Sequence, residues 1–286
     1  MMARPIDFAG LALGAPVADA HAHLDMLDDP AQALAHAALA GVQLVATAVD
    51  LSEDTRTIVE SEAWRVEAAS WLRAHGFEDR AAPEVRIVAG VHPHNAKDAA
   101  TVEQNLADLA SSGLVAAIGE CGLDYHYEHS PRAVQRTAFE RHLSIAHEAG
   151  LPAIVHLREA HDEGYEVLSR IGVPAAGCVV HCFTEDAQTA QRFLELGCFV
   201  SFGGVTTFKK ADAVRSAAAA VPLDRLLTET DCPFLAPEPF RGATNEPALV
   251  TQVVRAVAAA HGVDPSVAAS AAFENARRLF CGGARS

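Results

Sequence analysis

Eight short runs of apolar, mostly β-branched residues recur along the chain, and a segment with helical spacing of apolar residues follows each one. The runs do not alternate with polar residues, which is typical of strands buried on both faces of a parallel sheet. No other feature of the chain restricts its fold as strongly. We predict strands at residues 17–21, 42–49, 85–91, 114–120, 153–156, 178–181, 198–202 and 225–230.

The segments between these runs have the apolar spacing and the end signals of helices. We predict helices at residues 30–40, 55–74, 101–110, 131–149, 160–171, 186–196, 210–219, 247–260 and 265–280. Eight strand–helix units predict a (β/α)8 TIM barrel, here a single domain over 1–286 with its core at about 17–280 and an extra C-terminal helix. A doubly wound open sheet is the alternative, but no Gly-x-Gly-x-x-Gly motif follows the first strand.

Composition excludes several classes of protein. The formal charge of −15 disfavours a protein held on DNA or on a membrane surface by broad positive charge. The six cysteines form no C-x-x-C motif, so neither a zinc ribbon nor a thioredoxin-type site is indicated. Without an apolar run of ~18 residues or a signal-peptide pattern, we expect a cytoplasmic protein with no membrane partner. A monomer is compatible with the sequence, which does not specify the oligomeric state.

Metal-ligand residue types fall at the ends of the predicted strands. Barrel enzymes carry their chemistry at the C-terminal ends of strands, so residues there are the first candidates. His21 and His23 are two positions apart and therefore point to the same side of the first strand. Strands four, five and six end at Glu120, His156 and His181, and Asp231 directly follows strand eight. Four imidazoles and two carboxylates are a ligand set for divalent metal, and clustered carboxylates in an apolar mouth require a compensating cation.

Longer motifs surround these residues. They are Asp19-Ala-His-Ala-His-Leu-Asp25, Gly90-Val-His-Pro-His94, Ile118-Gly-Glu-Cys-Gly-Leu-Asp-Tyr125, Val155-His-Leu-Arg158, Val180-His-Cys-Phe-Thr184 and Leu227-Thr-Glu-Thr-Asp-Cys-Pro-Phe-Leu-Ala-Pro237. In these motifs the chain resembles the TatD family of metal-dependent hydrolases, within the amidohydrolase superfamily. The resemblance extends from about residue 17 to 280 in family order. Its most specific stretches surround Glu120 and Asp231.

The resemblance implies a binuclear site for two divalent ions, which would be Mg²⁺, Mn²⁺ or Zn²⁺. The first ion would be held by His21, His23, Glu120 and Asp231, and the second by Glu120, His156 and His181. Glu120 would bridge the ions, and Asp231 would act as general base toward a metal-activated water. The resemblance also implies a nuclease that cuts DNA, often from the 3′ end.

Substrate contacts are predicted at His94, Arg158, Lys209 and Arg241. His94 either donates to a phosphate oxygen or is a hydrogen-bonded loop histidine. Few Lys and Arg residues lie near the motifs, so we expect a small footprint on one strand end or a short single-stranded oligonucleotide. Three neighbours on the chain, Tyr125, His126 and Tyr127, either stack on a base near the mouth or pack against a loop.

Some residues are expected to orient the ligating histidines through their second ring nitrogen. Asp25, Asp124 and Glu229 are the candidates, although Glu229 is equally compatible with a pairing to Arg241 or Lys209. The sequence departs from the usual family pattern at three positions. These departures bear on the expected substrate preference more than on metal binding. These positions are His142, Glu185 and Ala243.

Two alternative functions share the same ligands. A related amidohydrolase would act on another ester or amide, for example in the deacylation of aminoacyl-RNA. A scaffold protein would bind metal without catalysis, although a complete set of six ligands argues against it.

Overall fold

The computed structural model describes residues 6–53 and 55–282. Its strands pair in parallel in chain order, each with the next, in one eight-stranded sheet. Strands β1 to β8 are Val17–Ala22, Val42–Asp50, Glu84–Gly90, Ala117–Asp124, Ala153–Arg158, Cys178–Val180, Phe199–Phe202 and Leu226–Thr228. The first and last strands meet, since the amide of Asp231, just after β8, donates to the carbonyl of His21 over 2.9 Å. The predicted (β/α)8 barrel is therefore confirmed, and the open sheet is excluded.

A helix follows each strand, and one more follows the eighth unit. Helices α1 to α9 are Pro30–Leu39, Arg56–Ala74, Ala99–Ser112, Arg132–Ala149, His161–Ile171, Ala187–Glu195, Asp212–Ala220, Val250–His261 and Pro265–Phe280. Short 3₁₀ helices at Leu24–Met26, Pro93–Asp98 and Gly204–Thr207 extend the loops after β1, β3 and β7. Among the described residues, no helix is long and apolar enough to cross a membrane.

The N-terminal end of the barrel is closed by apolar packing. Interior residues of the strands, including Leu44, Ile154 and Leu227, form one cluster with Phe273 and Phe280 of α9. The extra helix therefore covers the floor of the barrel. This packing leaves the opposite end, where the strands finish, as the open mouth.

Seven of the eight strand ends differ from the prediction: β4 by four residues, β5 and β8 by two, and β1, β2, β3 and β6 by one. Strand β4 continues four residues beyond Glu120 to Asp124, whose backbone pairs with Arg158 of β5. Strand β6 ends at Val180, before His181, and β8 ends at Thr228. The apolar pattern marks the buried part of a strand, whereas the polar rim residues are placed by loop contacts that the pattern does not report.

Candidate metal centre

Glu120 lies at the centre of the barrel mouth, with its side chain 6% exposed. Its Oε2 atom is 3.1 Å from Nε2 of His21. Its Oε1 atom is 2.7 Å from both Nδ1 of His156 and Nε2 of His181. The two oxygens of one carboxylate therefore face two different groups of imidazoles.

The remaining two predicted ligands complete the first of these groups. Nε2 of His23 lies 3.3 Å from Nε2 of His21, and Oδ1 of Asp231 lies 3.5 Å from Nε2 of His23. The structure thus brings together all six residues that the sequence predicted as ligands. Ligand atoms within 4.8 Å of one another occur in the groups His21–His23–Asp231, His21–Glu120–His181 and His92–Glu120–His156.

His92 in the third group was missed by the sequence reasoning. Its Nε2 atom lies 3.4 Å from Oε1 of Glu120, and its side chain is 20% exposed. The signal was present, because His92 and His94 repeat the H-x-H spacing of His21 and His23. Only His94 was singled out, since the predicted strand end did not show which of the two imidazoles faces inward.

The ionisation of Glu120 and the protonation of the histidines around it depend on one another. Burial opposes ionisation of Glu120, but the charges of His181, His92 and His21 outweigh it and hold the Glu120 pKa well below its usual value. Burial likewise opposes protonation of His181, but the carboxylates of Glu120 and Glu229 outweigh it and raise the His181 pKa well above its usual value. An ionised, buried Glu120 therefore requires positive charge on both sides, which protons on imidazoles or divalent cations can supply.

Asp124 connects two histidines at the end of β4. Its Oδ2 atom lies 2.8 Å from Nε2 of His94 and 3.3 Å from Nε2 of His156. Burial raises the pKa of this carboxyl, but hydrogen bonds from His156, the Tyr127 amide and His94 outweigh burial and hold its pKa well below the usual value. An ionised Asp124 can orient both rings; orientation of the predicted ligand His156 was expected from the sequence, whereas the contact with His94 was not.

Glu229 is fully buried beside His181. Its Oε1 atom accepts a hydrogen bond from the Cys182 amide over 2.6 Å and lies 3.4 Å from Nδ1 of His181. Among the described contacts it pairs with neither Arg241 nor Lys209. The structure therefore favours the orienting role over the alternative pairing.

An open cavity of about 690 Å³ lies above the cluster. Among the predicted substrate contacts, His94 and Arg158 line it, and Asp25 also contributes to its wall. Lys209 and Arg241 are exposed and lie outside the lining, and the guanidinium of Arg241 packs 3.9 Å from the ring of Phe208. The predicted contacts thus divide into a pair at the cavity and a pair further out.

The three ring residues after Asp124 behave differently from one another. The Tyr125 hydroxyl donates to Glu163 of α5 over 2.6 Å, and Nδ1 of His126 lies 2.7 Å from Glu159 in the loop after β5, so both contact neighbouring elements. Tyr127 lines the cavity.

The donor set fits divalent metal. Imidazole nitrogens suit zinc, and carboxylate oxygens suit magnesium or manganese. A carboxylate oxygen of Glu229 also lies 3.4 Å from the second ring nitrogen of His181, and a carboxylate near that nitrogen is usual for ligating histidines. These clusters are able to hold metal.

Comparison with known proteins agrees with this geometry. The model of the TatD-related DNase family matches residues 18–281. The uncharacterized metal-dependent hydrolase YcfH of Escherichia coli K12 is 44% identical over 191 residues, covering 67% of this chain and 72% of YcfH. The Rahnella protein named 3′-5′ ssDNA/RNA exonuclease TatD is 38% identical over 203 residues, covering 69% of this chain and 77% of that protein.

The crystal structure of YjjV, a TatD homologue from Escherichia coli K12, superposes with a TM-score of 0.80 at 25% identity. The match covers 93% of this chain and 98% of YjjV. Sequence, fold and the cluster around Glu120 agree, and the chain belongs to the TatD family of metal-dependent hydrolases.

Proposed function

We propose that this hydrolase is a phosphodiesterase that removes nucleotides from the ends of single-stranded nucleic acid, with DNA as the expected substrate. The observation that carries the proposal is the Glu120 carboxylate, which separates two groups of imidazoles beneath an open cavity. The name of the Rahnella relative supports the same class of substrate.

Two divalent ions, Mg²⁺, Mn²⁺ or Zn²⁺, are part of the proposal. The residues that would hold them are His21, His23, Glu120 and Asp231 for one ion and Glu120, His156 and His181 for the other. Such ions supply Lewis-acid activation of water and neutralise charge on the phosphate. The donors come from β1 and the residue after it, from β4 and β5, and from the loops after β6 and β8.

Asp231 is the proposed general base. Burial raises its pKa, but a hydrogen bond from His23 and the charges of His181 and His21 outweigh burial and hold the pKa below its usual value. Because of this lowered pKa the carboxylate is ionised. It also lines the cavity, where a water proton must be accepted. The water oxygen then bonds to phosphorus while the bond to the leaving oxygen of the sugar breaks.

Cationic and imidazole side chains are available for the phosphates. Nε2 of His94 faces Asp124, so Nδ1 is the ring atom left for substrate. Arg158 has no carboxylate partner among the described ion pairs and lines the cavity. Lys209 and Arg241 also lack such partners and would contact phosphates further along the strand. This small number of cations is consistent with a short footprint.

The test is hydrolysis of end-labelled single-stranded DNA before and after chelation. We expect chelation to stop cleavage, and Mg²⁺, Mn²⁺ or Zn²⁺ to restore it with a ladder that shortens from one end. Turnover that continues in excess chelator, with no metal in the protein, would contradict the proposal. Small esters and aminoacyl-RNA belong in the same assay, since cleavage of these and not of DNA would assign the site to the alternative substrates. Tight binding of DNA without cleavage of any substrate would identify a scaffold.

A further inference from the structure

Exposed aromatic rings are concentrated at the cavity. The chain contains twelve Phe, three Tyr and two Trp residues. All of them lie in the described ranges, and only Tyr127 and Phe234 are exposed, at 51% each. Both rings line the cavity above Glu120. About half of each side chain remains exposed in the free protein, and two such rings at one cavity fit a ligand with flat apolar faces.

The two rings lie on opposite sides of the mouth. Tyr127 follows β4 and contacts the ring of His94 edge to face, with the ring centres 5.5 Å apart. Phe234 follows β8, four strands away around the barrel, and meets the ring of His23 at 6.2 Å between centres. The carboxylate–imidazole cluster therefore lies between them.

Both rings are carried by fixed turns. The amide of Tyr127 donates to Oδ1 of Asp124 over 2.9 Å, and Asp124 is buried. The carbonyl of Phe234 accepts a 2.7 Å hydrogen bond from the side chain of Asn245, which is also buried. Rings on such turns lose little conformational entropy when a ligand binds.

The charge beside Tyr127 suits a phosphate. The guanidinium of Arg158 lies 4.7 Å from the centre of the Tyr127 ring. Arg158 therefore presents a cation and a flat face at the same place, and guanidinium planes and aromatic rings both stack on unpaired bases.

We infer that Tyr127 and Phe234 stack on the two nucleobases that flank the cleaved linkage, one ring for each base. This inference rests on the proposed function and makes its substrate specific, since the recognised unit is a dinucleotide with unpaired bases. Base stacking tolerates sequence, so the site selects single strands over duplexes without selecting particular bases.

The test pairs variants of the rings with DNA that lacks a single base. Three single-stranded oligonucleotides are compared: intact, abasic at the terminal nucleotide and abasic at the penultimate nucleotide. The variants are Tyr127→Ala and Phe234→Ala, with Tyr127→Phe to retain the ring. Leu114→Ala, an exposed apolar residue that precedes β4 outside the cavity lining, is the matched control.

On intact DNA we expect each alanine variant to lose roughly 5- to 100-fold in kcat/KM, whereas Tyr127→Phe and Leu114→Ala stay near wild type. The loss in Tyr127→Ala should vanish on one abasic substrate, and the loss in Phe234→Ala should vanish on the other. Losses that persist equally on all three substrates would overturn the inference, as would alanine variants with full activity on intact DNA.

Binding gives a second readout that does not depend on turnover. In the Asp231→Asn background, a 2-aminopurine base at either of the two end positions should be quenched on binding, and the matching alanine variant should remove that quenching. Wild-type cleavage of DNA without this quenching would overturn the base contacts and leave the proposed function intact. If the wild type neither binds nor cleaves DNA, both fail.

Discussion

The two ends of the barrel are formed by the same eight strands but bury different kinds of side chain. At the floor, Leu44, Ile154 and Leu227 pack against α9, and this apolar burial stabilises the fold. At the mouth, His21, Glu120, His181 and Glu229 are buried although they are polar, which is costly unless each has a partner. Substitutions at the floor should therefore change stability, whereas substitutions at the mouth should change chemistry.

The largest effect should come from Asp231→Asn at the mouth. Asparagine keeps the shape of the side chain but cannot accept the water proton, so we expect kcat to fall by roughly 10²- to 10⁴-fold. Steady-state hydrolysis of single-stranded DNA measures the change, and circular dichroism checks that the fold is retained. Full activity would remove Asp231 from the mechanism.

At the floor, Leu44→Ala should have the opposite profile. Leu44 is 2% exposed, and a cavity at this position should lower the free energy of unfolding by about 2 to 5 kcal/mol. Denaturant titration measures this loss, and kcat of the folded protein should be unchanged. The control Val267→Ala, on the exposed face of α9, should stay within about 0.5 kcal/mol of wild type. A fall in kcat for Leu44→Ala would show that the two ends are not independent.

Glu229→Gln tests a residue that acts through another at the mouth. The carboxylate near Nδ1 of His181 orients that ring, and its neutral replacement should weaken metal affinity by roughly 10- to 100-fold. Calorimetric titration of the metal-free protein with Zn²⁺ or Mn²⁺ measures the affinity. Glu159→Gln, at an exposed position whose side chain lies 2.7 Å from His126, is the control. Equal affinities in the two variants would contradict the orienting role.

The smallest effect is expected at His142 of α4, which contacts the backbone directly after β3. Its Nε2 atom accepts from the Val91 amide over 3.0 Å, and burial lowers its pKa. Below the unfolded value of about 6.5, the unfolded chain binds a proton that the folded protein does not, so stability falls as the pH decreases.

His142→Gln retains the acceptor and removes that proton. Its stability relative to wild type should therefore rise between pH 7 and 5, by at most about 1.4 kcal/mol per pH unit. Denaturant titrations across this range give the difference. His142→Leu, without an acceptor, should lose about 1 to 3 kcal/mol, because the buried Val91 amide is then unsatisfied. A stability difference between His142→Gln and wild type that does not vary with pH would contradict this assignment.

The fold could be predicted from the sequence because its signal is repeated eight times. Each apolar run marks a strand buried on both faces, and errors at single boundaries do not change the count of units. Glu120 and Asp231 could be proposed as ligands because the chemistry of the rim requires charged groups at strand ends. These two residues are distant in sequence, and the barrel fold by itself predicts that they lie close together.

The remainder depends on side-chain direction, which spacing does not give. The inward orientation of His92 depends on the 3₁₀ helix after β3, and the extension of β4 to Asp124 depends on pairing with β5. Tyr125 packs against the main hydrophobic cluster and donates its hydroxyl to Glu163, whereas Tyr127 is 51% exposed. Such contacts join residues that are remote in sequence, so no local sequence pattern predicts them.

Helix α9 follows all eight strands in the chain, yet it covers the floor beneath the first of them. During synthesis, burial of the apolar residues of β1 and β2 against α9 is therefore delayed until residues 265–280 have left the ribosome. A nascent chain arrested before that point would expose an apolar surface to chaperones. Arrival of α9, rather than formation of the sheet alone, is then the step that covers the floor.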